Sequence, residues 1–359
     1  MIARLLEVQS DDVIFTSGAT ESNAIAILGS VRALRALAGS DAPGRNNMHV
    51  LYLPSAHASI VENVKMLETE GVTIEALPIK DYRVDTVALA SMLRPETVLV
   101  SMDAVCGETG VVWNTREVAL VIKNFCAGTK SDEVRPVSLI GKSEFVMTLL
   151  HVDASQAPWT EKITRDHFGA DLLTLDAAKV GAVRGCGVLV AHRTIPLAPL
   201  YRGGGQERGV RPGTEASESV EKFALALHTT VLGKEKFRTS ATRERDNLIQ
   251  RIKNTIKGVY INEGRTQAPN ILNISLPGRD TDYLVALLNE DGFAVATRSA
   301  CETDSEEGSR AVFALTGDKE RAFATLRISW GPSISSHELT RFAKSLASSV
   351  AFIDSNRQR

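Results

Sequence analysis

The chain has 359 residues, of which 43% are hydrophobic and 23% charged, and its 41 basic and 43 acidic side chains give a net charge of −2. This is ordinary globular usage, and it argues against a disordered chain or a nucleic-acid-binding protein. The length is enough for about two domains. No apolar run reaches the ~18–20 residues that cross a bilayer, and the N-terminus lacks a signal-peptide pattern. We therefore expect a cytoplasmic protein without nucleic-acid or membrane partners.

The first two thirds of the chain alternate short β-branched runs with helical stretches, the pattern of an α/β fold. Strands are predicted at 13–15, 50–53, 72–77, 98–102, 146–152, 172–175 and 188–191, and helices at 21–37, 58–70 and 115–125. The strands are continuous apolar runs, which indicates a mostly parallel sheet covered on both faces.

The pattern changes after about residue 235, where a charged helical stretch begins. Strands are predicted there at 271–275, 294–297 and 325–329, and helices at 242–257, 281–289, 309–315 and 336–352. We therefore predict a large domain over 1–235 and a smaller α+β domain over 236–359.

The segment FTSGATESN, residues 15–23, has the form of a strand, a turn of small residues and a helix start. Free backbone N–H groups at a helix N-terminus bind anions, so Ala19 and Thr20 are candidates for holding a phosphate. The alternative is a plain turn in which Thr20 caps the helix.

Two further strands end in side chains that could do chemistry. HVDASQ places Asp153 just past an apolar strand, where α/β sheets bind ligands, and LLTLDAAK places Lys179 in a small-residue, partly buried setting. A desolvated lysine forms Schiff bases readily, and an aspartate suits the pyridine nitrogen of a cofactor. Alternatively, Asp153 caps a helix and Lys179 is an exposed loop lysine.

The remaining unusual segments are a glycine- and arginine-rich loop over 201–214, RSAC over 298–301, and LRIS over 326–329. The loop could bind a ligand or a second subunit, or be a flexible linker. Cys301 opens a polar loop and should be exposed, whereas most single cysteines are small buried hydrophobes. The four cysteines, Cys106, Cys126, Cys186 and Cys301, have no metal-like spacing, so we expect neither a metal site nor a disulfide framework.

In this order the segments FTSGATESN, HVDASQ, GGGQERGVRPGTE, RSAC and LRIS resemble the cysteine desulfurases, which belong to the class V aminotransferases among the pyridoxal phosphate (PLP) enzymes. The resemblance covers essentially the whole chain. It implies the aspartate-aminotransferase-like fold (fold type I), with a mostly parallel seven-stranded sheet in the large domain and a smaller C-terminal domain that carries the cysteine loop. It also implies that an N-terminal segment of the family is missing before Met1.

The resemblance assigns the cofactor site. It implies that Lys179 binds PLP covalently, that Asp153 pairs with the pyridine nitrogen and that Gln156 bonds the phenolic oxygen. Ala19 and Thr20 would bind the phosphate.

The resemblance also assigns the reaction. His57 would stack on the ring and assist proton transfer, although it could equally cap a helix, and Arg327 would hold the substrate carboxylate. Thr214 would reach the phosphate of a neighbouring subunit in a homodimer. The implied activity converts L-cysteine to L-alanine and leaves the sulfur on Cys301 as a persulfide. A sulfur-acceptor protein or iron–sulfur scaffold would receive it.

Some positions depart from the family pattern. Asp176 and Ala178 stand where a serine and a histidine usually precede the lysine, and Cys106 and Gly107 replace two asparagines. An aspartate near a phosphate repels it unless it is turned away or paired. Two alternatives therefore stay open: a class V lyase or aminotransferase that uses Lys179 without Cys301, and a catalytically weakened homologue that acts as a binding partner or scaffold.

Overall fold

The computed structural model describes residues 1–38, 47–128, 148–297 and 308–357. Their contacts divide the chain into two compact units. The first contains Met1–Val105 and Trp113–Leu232, and the second contains Cys106–Val112 and Gly233–Arg359. The predicted domain boundary between residues 235 and 236 stays a prediction.

The first unit is organised around a β-sheet. Its strands are β1 (Val13–Thr16), β2 (His49–Tyr52), β3 (Thr73–Ala76), β4 (Ile79–Lys80), β5 (Arg83–Val84), β6 (Thr97–Asp103), β7 (Leu149–Asp153), β8 (Leu172–Asp176) and β9 (Gly187–Ala191). In the described ranges seven of them form one sheet in the order β1-β9-β8-β7-β6-β2-β3, while β4 and β5 form a small hairpin.

The large sheet is mostly parallel, which confirms the prediction. Strand β9 runs antiparallel to both β1 and β8, whereas the pairs from β8 to β3 are parallel. Every residue of β6, β7 and β9 is buried. Burial on both faces explains why these strands are continuous apolar runs in the sequence.

Helices connect the strands of the first unit. They are α1 (Ile2–Leu6), α2 (Ala19–Ala24), α3 (Ser30–Leu37), α4 (Ala58–Thr69), α5 (Thr86–Met92), α6 (Thr115–Gly128) and α7 (Arg165–Phe168). A π-helical turn, Ile25–Gly29, joins α2 to α3, so the helical stretch predicted over 21–37 is continuous. Helix α8 (Ser217–Thr255) follows the glycine-rich loop. Among the described helices none is long and apolar enough to cross a membrane.

The second unit has a small antiparallel sheet. Its three strands in the described ranges are β10 (Tyr260–Ile261), β11 (Ile271–Ser275) and β12 (Thr325–Ser329), in that order across the sheet. Its further helices are α9 (Thr281–Glu290), α10 (Arg310–Thr316), α11 (Lys319–Phe323) and α12 (Ser336–Arg357). Side chains at Asp280, Ser309 and Asp318 cap the first three of these helices.

Two sequence predictions differ from the structure. The helix predicted to begin at residue 242 begins at Ser217, since apolar residues at helical spacing start well before residue 242, and Phe223 and Leu227 among them are fully buried. The strand predicted over 294–297 is wrong, since the described residues there make a single bridge, between Ala296 and Arg327.

Candidate active site

Two adjacent parallel strands of the first unit each end in an aspartate. Asp153 is the last residue of β7, and Asp176 is the last residue of β8. Ligands of open α/β sheets bind beyond the carboxyl ends of the strands. The two carboxylates therefore mark the edge of the sheet where a cofactor is expected.

The Asp153 carboxylate is buried and fixed by two hydrogen bonds. Asn23 on α2 donates from Nδ2 to Oδ2 over 2.8 Å, and the backbone N–H of Ser155 donates to Oδ1 over 2.9 Å. Asp153 is 6% exposed and Asn23 is fully buried. A buried carboxylate held in this way is a well-oriented acceptor for a cationic N–H group.

A chain of hydrogen bonds leads from Asp153 to His57. The Nδ2 of Asn23 also donates to Ser59 Oγ at 2.8 Å, and Ser59 Oγ lies 2.8 Å from His57 Nδ1. Because Nδ1 also accepts the backbone N–H of Ser59, the neutral ring carries its proton on Nε2. His57 is exposed and caps helix α4, so the capping role considered from the sequence is confirmed.

Lys179 lies just after β8, in the short helical turn Ala177–Val180. Its side chain is exposed, so the expectation of a partly buried lysine is wrong. The backbone is held on one side by Trp159, whose Nε1 donates to the Lys179 carbonyl over 2.8 Å. The amine is accessible to a cofactor because the turn ends at the surface of the unit.

The predicted phosphate-binding turn already has an anionic partner. The Asp176 carboxylate accepts the N–H of Ala19 at 3.0 Å through Oδ2 and the N–H of Ala178 at 2.8 Å through Oδ1. Gly18, which precedes Ala19, has a φ of 145°, a conformation that favours glycine. Thr20 is exposed at the start of the same helix. Asp176 is thus paired with backbone donors, which is one of the two arrangements that the sequence left open for an aspartate near a phosphate.

Glu21 ties the glycine-rich loop to helix α2. Its carboxylate accepts hydrogen bonds from Ser17 N at 2.5 Å, Tyr201 Oη at 3.0 Å and Arg211 Nε at 3.3 Å. Burial acts to raise the pKa of Glu21, but the hydrogen bonds from Ser17 and Tyr201 and the charge of Arg211 outweigh it, so the pKa is below its ordinary value. Thr214, at the end of this loop, is exposed.

The buried histidine of β7 has a structural role. His151 Nδ1 lies 2.8 Å from Ser101 Oγ, and Nε2 lies 3.1 Å from Thr174 Oγ1, each on a neighbouring strand. Burial lowers the pKa of His151 to about 4, against the opposing charge of Asp153. The ring is therefore neutral near pH 7 and joins three strands immediately before Asp153.

The second unit contains Arg327, the predicted ligand of the substrate carboxylate. The side chain is half-buried on β12, and Nη1 donates to the Gly107 carbonyl at 3.1 Å. The backbone of Arg327 pairs with Ala296. Gly107 belongs to the segment Cys106–Val112. In the same segment the Glu108 carbonyl accepts a hydrogen bond from Asn273 Nδ2 over 3.3 Å.

Of the remaining predicted site residues, Gln156 lies three residues after Asp153 and is half-buried. Cys301 and Arg298 lie outside the described residues.

Three residues that organise the site were not predicted from the sequence: Asn23, Ser59 and Glu21. Asn23 lies four residues after Ala19 and so one helical turn further along the same face of α2. This spacing is the sequence signal that could have predicted its contact with the sheet. Ser59 lies two residues after His57, the usual position of an N–H donor to a helix cap.

These residues fit PLP at the ring and aldehyde ends. Asp153 offers a fixed, buried carboxylate to a protonated pyridine nitrogen, and Lys179 offers an accessible amine at the end of the adjoining strand. At the phosphate end Ala19 provides a helix N-terminal N–H, although Asp176 accepts it here.

Comparisons with known proteins show the family of this chain. The family model for aminotransferase class-V matches residues 1–134 and 126–342. A mitosomal cysteine desulfurase of Encephalitozoon cuniculi is 32% identical, over 92% of this chain and 70% of its own. Cysteine desulfurase IscS 1 of Archaeoglobus fulgidus is 28% identical, over 92% of this chain and 78% of its own.

Solved structures have the same fold. A NifS-like protein superposes with a TM-score of 0.82 at 23% identity, over 98% of this chain and 86% of its own. DndA from Streptomyces lividans has a TM-score of 0.72 at 27% identity, over 92% of this chain and 86% of its own. The fold is that of the PLP fold-type I enzymes, as predicted. The chain therefore belongs to the aminotransferase class-V family and, within it, to the PLP-dependent cysteine desulfurases.

Proposed function

We propose that this chain converts L-cysteine to L-alanine and retains the sulfur on Cys301 as a persulfide. The observation that carries the proposal is the Asp153 carboxylate, buried and fixed by Asn23 at the end of β7, beside the strand that leads to Lys179. When bound, PLP supplies an electron-accepting ring conjugated to the substrate amine. The protein has to hold that ring, orient the amino acid and move protons.

We assign the cofactor contacts to residues of the first unit. Lys179 Nζ would bind PLP covalently, and the Asp153 carboxylate would pair with the pyridine N–H, which would keep the ring electron-poor. Gln156 bonds the phenolic oxygen. Ala19 N–H and the Thr20 hydroxyl serve the phosphate.

We assign the proton steps to Lys179 and His57 and the binding of the substrate carboxylate to Arg327. Lys179 Nζ would take the proton from the substrate Cα. His57 would stack on the cofactor ring, and its Nε2 would be available for proton transfer because its Nδ1 is engaged by Ser59. The Arg327 guanidinium holds the substrate carboxylate with the donors that it does not use at Gly107.

The transfer of sulfur to Cys301 needs no external oxidant. The Cys301 thiolate attacks the substrate sulfur, so a sulfur–sulfur bond forms as the carbon–sulfur bond breaks. The electron pair of the broken bond stays with the substrate carbon, which gains a proton and leaves as L-alanine. The persulfide then passes to a sulfur-acceptor protein or an iron–sulfur scaffold.

We further propose a cytoplasmic homodimer. Thr214 is exposed at the end of a loop that Glu21 anchors, which suits a residue that reaches a neighbouring subunit. A cysteine that cycles between thiol and persulfide requires a reducing compartment.

A catalytically weakened homologue is the second candidate, and the bond from Ala19 N to Asp176 favours it, because a carboxylate takes a donor that the phosphate needs.

Alanine formation from L-cysteine with added PLP separates the desulfurase from the weakened homologue. We expect alanine from the wild type and from the controls Lys162→Ala and Cys126→Ala, but not from Lys179→Ala or Cys301→Ala. No alanine from the PLP-saturated wild type would refute the desulfurase. Alanine from Cys301→Ala would indicate instead a class V lyase that uses Lys179 without Cys301.

A further inference from the structure

Asp176 joins two helix starts in the cofactor region. Its two carboxylate oxygens accept the N–H groups of Ala19, at the start of α2, and of Ala178, in the turn that carries Lys179. Ala19 is 157 residues away in the sequence, so this is a tertiary contact and more than a local cap. Asp176 thus supplies a negative charge where a helix N-terminus offers N–H groups to an anion.

The turn that contains Gly18, next to the Asp176 carboxylate, is closely packed. Gly187 on β9 packs so closely on Gly18 that a Cβ built on Gly187 would be 2.6 Å from the Gly18 Cα. A Cβ on Gly18 would itself be 3.4 Å from Asp176 Oδ2. The backbone donors and the carboxylate are therefore held together by main-chain packing.

We propose that Asp176 is a cofactor-specificity residue, which occupies part of the anion site for the PLP phosphate and so weakens the preference for PLP over pyridoxal, the same aldehyde without phosphate. The inference rests on the proposed function, because it takes PLP as the cofactor. A phosphate at Ala19 N must displace the carboxylate or bind beside it, and either event opposes binding through like charge. Pyridoxal keeps the ring and aldehyde contacts and does not meet this repulsion.

The test is a spectroscopic titration of the full chain with PLP and with pyridoxal, which measures both dissociation constants without turnover. Asp176→Ser removes the charge and keeps a good helix-capping side chain. Asp176→Asn removes the charge at nearly constant shape, and is available if the serine variant does not fold. Asp85→Ser is the matched control, because Asp85 also accepts two backbone N–H groups at a helix start, those of Val87 and Ala88, in the same unit.

We expect both Asp176 variants to increase the preference for PLP over pyridoxal by about tenfold or more, while the dissociation constant for pyridoxal stays almost unchanged. Asp85→Ser should leave the preference at the wild-type value. An unchanged preference in both Asp176 variants would overturn the inference while leaving the desulfurase activity standing. Failure of every variant to bind either aldehyde would overturn both, and tight PLP binding without alanine formation would count against the proposed function alone.

Discussion

Asn23 Nδ2 donates to Asp153 Oδ2 over 2.8 Å and to Ser59 Oγ over the same distance, so one buried amide links helix α2 to the sheet and to helix α4. Both hydrogens of the amide are used. The orientation of the Asp153 carboxylate therefore depends on a fully buried residue of helix α2.

Asn23→Ala should leave a buried carboxylate short of a donor and lower the free energy of unfolding by about 1–3 kcal/mol. It should also weaken PLP binding, since Asp153 loses its fixed orientation. Denaturant unfolding and PLP titration measure the two effects. Asn63→Ala is the control: Asn63 is half-buried on α4 and donates to the Ser59 carbonyl at 2.7 Å, so its loss should cost less than about 1 kcal/mol. Equal effects of the two variants would contradict the role of Asn23.

Glu21 makes the free energy of unfolding depend on pH. Its folded pKa is below the ordinary value of 4.5, so its contribution is complete above that pH and is lost as the pH falls through the folded pKa. Glu21→Gln should be less stable than the wild type by about 1 kcal/mol at pH 7, and the difference should shrink as the pH falls below 4.5.

Unfolding free energies measured at pH 7 and at pH 3.5–4 check this prediction. The control is Glu62→Gln, whose pair with Lys65 is exposed, and which should change stability by less than about 0.5 kcal/mol. A Glu21→Gln deficit that is independent of pH would show that the carboxylate charge is not what anchors Tyr201 and Arg211.

Gly110 is required by the packing of the segment Cys106–Val112 within the second unit. Its φ is +76°, and a Cβ there would lie 2.9 Å from both the Cβ and the carbonyl oxygen of Ile271. Gly110→Ala should cost about 2–5 kcal/mol through strain and overpacking. Gly258, with a φ of +71° and no atom closer than 4.0 Å, is the matched control, and Gly258→Ala should cost about 1–2 kcal/mol. Similar losses in thermal unfolding of both variants would contradict the packing argument.

The sequence was most informative where one local feature decides the structure. Asp153 and Lys179 follow apolar runs, so their positions at strand ends could be predicted from chain order. The bond between Ala19 and Asp176 could not, because it depends on how distant strands are ordered in the sheet. The preferred prediction of a partly buried Lys179 was wrong, and the alternative of an exposed lysine was right, for a related reason: small neighbours in the sequence indicate tight local packing but do not reveal that the turn faces outward. Glu21 was missed because its partners, Tyr201 and Arg211, come from a loop 180 and 190 residues away.

The most direct test of the account is mass spectrometry of the PLP-loaded protein after one exposure to L-cysteine, without a reductant or sulfur acceptor. We predict that the peptide containing Cys301 gains the mass of one sulfur atom, that an equal amount of L-alanine appears, and that Lys179→Ala abolishes both. Alanine formed with no added sulfur on Cys301, or added sulfur found equally on Cys126, would contradict it.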